Sequence, residues 1–65
     1  MTIILNGQPR EIVESTSVRA LLLEMNLSPE RVAVEVNRRL RRTERYDEAL
    51  QPGDEVEVVT FVGGG

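Results

Sequence analysis

Only one segment of this chain has the apolar spacing of an amphipathic helix, and this limits the folds that the chain can adopt. The helix is predicted to begin after Ser17, whose hydroxyl can cap the first turn, and to end at Asn26. Leu23 is expected to widen the apolar face of this helix. Because a single helix covers only one face of one sheet, the other segments must supply that sheet. The positions that define the apolar stripe are Val18, Leu21, Leu22 and Met25.

The segments on either side of the helix have the features of strands and tight turns. Asn6-Gly7 predicts a hairpin, and Gln51-Pro52-Gly53-Asp54 predicts a second turn. Pro9 cannot donate a ladder hydrogen bond, so its strand is expected at a sheet edge. Tyr46 and Leu50 are expected to anchor the irregular loop that precedes the last strand. The predicted strands cover residues 2–5, 8–13, 31–37, 40–42 and 55–62.

The order of these elements, β-β-α-β-(β)-β, favours an α+β fold of the β-grasp (ubiquitin-like) type. Such a fold is a mixed sheet with one main helix packed on one face. Its last strand lies beside the first, in the middle of the sheet. With 65 residues the chain is expected to form a single domain, residues 1–65, in which residues 63–65 are a flexible C-terminal glycine tail.

The composition excludes most catalytic mechanisms, and the protein is therefore predicted not to be an enzyme. There is no His and no Cys, so Ser-His and Cys-His nucleophiles and Cys-ligated zinc are impossible. The acidic residues of the last strand, Glu55 and Glu57, do not provide enough ligands for calcium or magnesium, and no metal site is predicted. The sequence contains neither a membrane span nor a signal peptide, so a soluble, cytoplasmic protein is expected.

The chain ends in three glycines, Gly63-Gly64-Gly65, directly after the last predicted strand. Glycine has no Cβ, so an extended glycine segment can enter a narrow cleft of another protein. Three residues span about 10 Å at most, which is enough to reach a partner's active site. We therefore expect the terminal carboxylate of Gly65 to be the reactive group, displayed by the folded body.

The last strand predicts a surface for partner docking at the root of this tail. Val56 and Val58 alternate with acidic residues, as expected for one buried face. The alternation then fails, because Val59, Phe61 and Val62 are all apolar. One helix cannot cover both faces of the sheet, so these three residues are predicted to form an exposed apolar docking surface.

The basic residues, all of them arginine, are concentrated in one segment. Five of the eight, namely Arg38, Arg39, Arg41, Arg42 and Arg45, lie within eight positions, although the net charge is −3. Charged side chains protect exposed sheet edges, and they can also dock an acidic partner. Both interpretations stay open, whereas nucleic-acid binding is not expected from an acidic chain with so few aromatic residues.

These features together resemble the ThiS family of sulfur carriers in bacterial thiamin biosynthesis. The resemblance spans the chain. Its most specific part is the turn at Pro52-Gly53-Asp54, the strand that follows and the ending Phe61-Val62-Gly63-Gly64-Gly65. Other matching features are Asn6-Gly7 after the first strand, Ser17-Val18 at the helix start, Val34-Glu35-Val36-Asn37 and Tyr46.

The resemblance implies that other proteins perform the chemistry. A partner adenylating enzyme (ThiF-like) would activate the carboxylate of Gly65 with ATP, and this chain itself would bind no cofactor. A persulfide sulfur donor would then convert Gly65 to a thiocarboxylate, from which a thiazole synthase (ThiG-like) would take the sulfur. Gly63 and Gly64 would thread the partner's active site.

The sequence leaves three other functions open. A relative of the ThiS family, the MoaD carrier of molybdopterin synthesis, also ends in diglycine and has the same fold. A non-covalent β-grasp interaction module would bind through the Arg cluster or the last strand, without any reaction at Gly65. Ubiquitin-like conjugation through Gly65 is the weakest alternative.

Overall fold

The computed structural model describes residues 1–61, and residues 62–65 lie outside the described part. Residues 1–61 form one α-helix, five strands and two 3-10 turns, Pro29–Arg31 and Thr43–Arg45. The helix, α1, spans Val18–Glu24. The strands are β1 (Thr2–Leu5), β2 (Gln8–Glu11), β3 (Val32–Val36), β4 (Arg39–Leu40) and β5 (Glu55–Thr60).

The strands form one mixed sheet in the order β2-β1-β5-β3-β4. β5 lies in the centre, parallel to β1 and antiparallel to β3, as the β-grasp prediction requires. β2 is at one edge, where Pro9 lies opposite Ile4 in the β1 ladder. The strand that leads toward the glycine tail is therefore paired on both sides.

The helix begins and ends close to where the sequence predicts. The Ser17 hydroxyl accepts a hydrogen bond from the Ala20 amide at 3.0 Å, which confirms Ser17 as the N-cap. The predicted C-cap is wrong by one residue: Met25 caps the helix, and Asn26 follows it with φ 59°. In that left-handed conformation Asn26 reverses the chain, and the Leu27 amide donates to the Leu22 carbonyl at 2.9 Å.

Loss of the N-cap should destabilise the fold measurably. Ser17→Ala removes the acceptor for the Ala20 amide, and such a loss costs about 1 kcal/mol. In a domain of this size the midpoint Tm should fall by roughly 4–8 °C in a thermal melt. Ser28→Ala is the matched control, because Ser28 precedes a 3-10 turn without a side-chain capping bond. An equal loss of Tm in both variants would contradict the capping role.

The core lies between α1 and one face of the sheet. Val18, Leu21 and Leu22 are fully buried, whereas the prediction for Leu23 is wrong, because 70% of it is exposed. Leu23 lies one residue beyond the buried pair, so it points to the solvent side of the helix. Tyr46 and Leu50 are each 2% exposed and anchor their loop as predicted. The other core residues are Ile3, Leu5, Ile12, Val32, Val34, Val36, Val56 and Val58.

Four of the five strands differ in their bounds from the predictions, and β3 covers Val32–Val36 rather than residues 31–37. β2 stops at Glu11, although Ile12 remains buried and its amide donates to the Met1 carbonyl at 2.8 Å. β4 covers Arg39–Leu40 rather than residues 40–42, because Asn37 and Arg38 both have positive φ and form a two-residue hairpin turn. β5 ends at Thr60 rather than at residue 62, and Val62 lies outside the described residues. No helix in residues 1–61 is long and apolar enough to cross a membrane.

Candidate functional site

The last strand presents two different faces. Val56 and Val58 are buried in the core beneath α1. Val59 and Phe61 are 60% and 59% exposed, on the sheet face that has no helix over it. The predicted exposure of these two residues is confirmed, and their role in docking stays a prediction.

Neighbouring strands extend the apolar area around Val59. Ala33 lies directly opposite Val59 in the β3–β5 ladder and is half-buried. Leu40 on β4 is opposite Glu35 and is 66% exposed. We call this helix-free surface the open face. The sequence did not identify Ala33 and Leu40 as part of it, because their proximity to Val59 depends on the pairing register.

The open face also carries a concentration of negative charge. Glu35 lies directly opposite Glu57, and Glu55 occupies the same side of β5 two positions away. Like charges in directly facing positions destabilise a sheet, so a cationic partner group would relieve this repulsion. Arg38 is the nearby counter-charge, with its Nε 3.7 Å from Glu55 Oε1. A shallow groove of about 260 Å³ lies here, lined by Ile4, Gly7, Glu35, Arg38, Glu55, Val56 and Glu57.

Hydrogen bonds hold β5 firmly on both sides. The Val58 amide donates to the Asn6 side-chain oxygen at 2.8 Å, beyond the end of the β1 ladder. On the other side the Phe61 amide donates to the Arg31 carbonyl at 2.9 Å. The Glu55 amide donates to the Asn37 side-chain oxygen at 3.0 Å. The exposed residues of the open face are therefore carried on a fixed backbone up to Phe61.

The remaining predicted site residues belong to the C-terminal end of the chain. Val62, predicted to dock a partner, and the tail residues Gly63, Gly64 and Gly65 lie outside the described residues. Their roles, including modification of Gly65, stay predictions. Among residues 1–61 no group of Asp or Glu side chains is arranged to hold a metal ion.

The predicted Arg cluster lies at the β4 edge and in the following loop, and part of it is neutralised locally. Arg45 Nη2 is 2.8 Å from Glu48 Oε1, and this hydrogen-bonded pair raises the pKa of Arg45 and lowers that of Glu48. Arg42 Nε is 3.9 Å from Glu44 Oε2. Burial raises the pKa of the Tyr46 hydroxyl.

The geometry and the sequence place the chain in a known family. Residues 3–65 match the ThiS family. The chain belongs to the ThiS family. A crystal structure of the thiamine biosynthesis protein ThiS from Geobacter metallireducens is similar to it over the whole of both chains, at 35% identity and a TM-score of 0.82. The solution structure of a thiamine biosynthesis protein from the same organism is similar at 33% identity and a TM-score of 0.81, over 100% of this chain and 88% of that one.

Curated relatives of this ThiS-family chain include much longer proteins. It is 41% identical over 66 aligned positions to a thiazole synthase of Magnetococcus marinus, and 38% identical to a thiazole synthase of Paramagnetospirillum magneticum. The alignment covers all of this chain but only 20% of each of those proteins. An uncharacterized protein of Porphyra purpurea is 33% identical and is covered over 93% of its length.

Proposed function

We propose that this ThiS-family protein is a sulfur carrier for thiamin biosynthesis and that the carboxylate of Gly65 carries the sulfur. Membership of the family over residues 3–65 is the observation that supports this most strongly. The absence of His and Cys also fits a protein that is the substrate of other enzymes. In this proposal the chain has no catalytic residue, and ATP is used by the partner.

The reaction must activate a carboxylate, which is a poor electrophile. A Gly65 carboxylate oxygen attacks the α-phosphorus of ATP, pyrophosphate leaves, and an acyl adenylate forms. The terminal sulfur of a persulfide on a donor protein attacks the acyl carbon, and AMP leaves. A thiol then reduces the remaining sulfur–sulfur bond, which leaves a thiocarboxylate on Gly65.

The open face is proposed to dock the enzymes that act on the tail. Val59 and Phe61 provide an apolar centre on the central strand, immediately before the segment that leads to Gly65. Glu35 and Glu57 flank that centre, so a matching partner surface combines apolar contact with basic side chains. Gly63 and Gly64, which lack a Cβ, then pass through the narrow entry of the partner's active site.

Two kinds of partner are expected to use this surface in turn. One is an adenylating enzyme of the ThiF type. The other is a thiazole synthase of the ThiG type, which receives the sulfur. The similarity of this chain to a fifth of two thiazole synthases supports the second partner, because it places a ThiS-like segment and a thiazole synthase in one polypeptide.

Intact mass spectrometry tests the proposal. The chain is incubated with the adenylating enzyme, ATP, a persulfide donor and a reducing thiol. The expected product is heavier by the difference between one sulfur and one oxygen atom, and fragmentation places the change at Gly65. An unchanged mass, in a mixture that loads sulfur onto a known ThiS protein, would refute the carrier role.

Removal of the apolar centre should weaken docking without unfolding the protein. Val59→Ala and Phe61→Ala should each lower kcat/KM for adenylation by about 5–30-fold, mainly by raising KM, because interface truncations of this kind cost about 1–2 kcal/mol. Pyrophosphate release measured against carrier concentration gives both constants.

Val13→Ala is the matched control for that experiment. Val13 is a similar exposed apolar residue, 76% exposed, but it follows β2 at the far edge of the sheet from β4. We expect its kcat/KM to remain at the wild-type value. Equal losses in Val13→Ala and Val59→Ala, or none in either open-face variant, would rule out docking through the open face.

A further inference from the structure

We propose that a groove beside β3, which shares Ala33 and Leu40 with the β4 side of the open face, binds an extended, acidic peptide segment of a partner protein. The groove has a volume of about 300 Å³ and lies between the outer edge of β3 and the segment that follows β4. Two residues of the Arg cluster, Arg41 and Arg42, line it, and the carrier function gives neither of them a role. Its walls are Val32, Ala33, Leu40, Arg41, Arg42, Thr43, Glu44 and Tyr46.

The first half of β3 has an edge that β4 does not cover. β4 pairs only with Glu35 and Val36, and one further hydrogen bond joins the Arg41 amide to the Val34 carbonyl at 2.8 Å. The chain then leaves the sheet in the 3-10 turn Thr43–Arg45. The gap that this departure leaves beside Val32 is the groove.

The main chain of Val32 is directed into that gap. The Arg31 carbonyl accepts from the Phe61 amide, so it points toward β5. Main-chain groups alternate along a strand, and the N–H and C=O of Val32 therefore point to the opposite edge. No hydrogen bond to either group is formed within residues 1–61. An added strand supplies such hydrogen bonds, which is how many domains bind extended peptides.

The charges on the groove favour an acidic occupant, because two arginines, Arg41 and Arg42, line it against one acidic residue, Glu44. Arg41 Nη1 is buried and has no hydrogen-bond partner in the described part of the chain, a costly arrangement for a cationic group. Among residues 1–61 Arg42 is paired only with Glu44, at 3.9 Å and with both side chains largely exposed, so this contact contributes little. A carboxylate in the groove would give Arg41 an acceptor and would add a second attraction to Arg42.

A peptide fits this site better than a nucleic acid. Single-stranded nucleic acids bind through aromatic rings on which bases stack, and Tyr46 is only 2% exposed. Leu40, which is 66% exposed, offers instead an apolar contact for a peptide side chain. The unpaired edge of β3 presents the N–H and C=O of Val32. A peptide backbone has both an acceptor and a donor to pair with them, whereas a phosphodiester backbone has no donor.

The test is an NMR titration of the ¹⁵N-labelled full chain. The probe is a blocked peptide of alternating valine and glutamate, and its counterpart has glutamine in place of every glutamate. The glutamate peptide should shift the amide signals of Val32, Ala33 and Arg41, and it should slow hydrogen exchange at Val32. The glutamine peptide should bind at least about tenfold more weakly, because its neutral amides cannot form charge-assisted hydrogen bonds with the arginines.

Variants test whether Arg41 and Arg42 bind the glutamate peptide. Arg42→Gln and Arg41→Gln should each weaken binding of the glutamate peptide by about tenfold. Because Arg42 is largely exposed, its replacement should leave the fold intact. Arg39→Gln removes the same charge from β4, outside the groove walls, and should bind as the wild type does. The titration involves neither ATP nor Gly65, so its result is independent of the carrier function.

Four results would overturn the proposal. They are no binding at millimolar peptide, equal binding of the two peptides, shifts confined to residues away from the groove, and equal losses in Arg39→Gln and Arg42→Gln. Binding of a single-stranded oligonucleotide in place of the glutamate peptide would also overturn it, in favour of a nucleic-acid site.

Discussion

A variant that carries one alanine after Gly65 is expected to accept no sulfur, while its fold stays unchanged. The former carboxylate of Gly65 becomes an amide, which cannot attack ATP. The new carboxylate lies about 3.3–3.6 Å farther along the chain and belongs to a residue with a Cβ. A partner site shaped for an unsubstituted glycine segment would hold it out of position, and misplacement by even about 1 Å can cost a factor of about 100 in rate.

Mass spectrometry and a thermal melt together decide this prediction. The extended chain should keep its original mass after incubation with ATP, the adenylating enzyme and the persulfide donor. Its Tm should equal that of the wild type, because the core ends at Val58 and the addition lies beyond it. Sulfur found at the new terminus would disprove a mechanism that depends on Gly65.

The same variant separates the carrier from a non-covalent module. A module that binds through the open face or the Arg cluster keeps its partner when the tail is extended, since Val59 and Arg42 are untouched. If the protein is a carrier, the extended chain still docks on the adenylating enzyme but no longer accepts sulfur. Binding of the extended chain to the adenylating enzyme, measured beside sulfur transfer, should therefore remain while transfer stops.

The fold was predictable because its signals are local in sequence. The i, i+3, i+4, i+7 spacing of one helix fixes which residues face the sheet, and Asn6-Gly7 fixes the first hairpin. The element order, with one helix between two pairs of strands, then predicts that β5 lies in the centre of the sheet, parallel to β1. The strand ends were less predictable, since β2 stops at Glu11 although apolar residues continue to Val13.

The candidate site was only half predictable, because half of it depends on pairing between distant residues. Exposure of Val59 and Phe61 followed from broken alternation within one strand. The pairs Ala33–Val59 and Glu35–Glu57 depend on the register of β3 against β5, which local spacing does not determine. Likewise, the clustering of arginines was visible in the sequence, but the burial of one Arg41 nitrogen depends on where the chain leaves β4.

Leu22 and Leu23 are neighbours in α1, but their replacement by alanine should have very different effects on the stability of the fold. Leu22 is completely buried against the sheet, and its truncation should cost about 2–5 kcal/mol. A domain of 65 residues has a total stability of about 3–10 kcal/mol at typical values per residue, so Leu22→Ala should be partly unfolded at 37 °C.

Leu23→Ala makes the same chemical change on the exposed side of the helix and should shift the free energy of unfolding by no more than about 0.5 kcal/mol. Urea denaturation followed by circular dichroism measures both variants. Comparable losses in the two would mean that α1 does not bury the face assigned to it. The sulfur-transfer assay adds a second comparison: Leu22→Ala should lose activity in proportion to its unfolded fraction, because β5 and the open face depend on the core beneath them. Phe61→Ala should lose activity while fully folded, and this contrast separates failure of docking from failure of the scaffold.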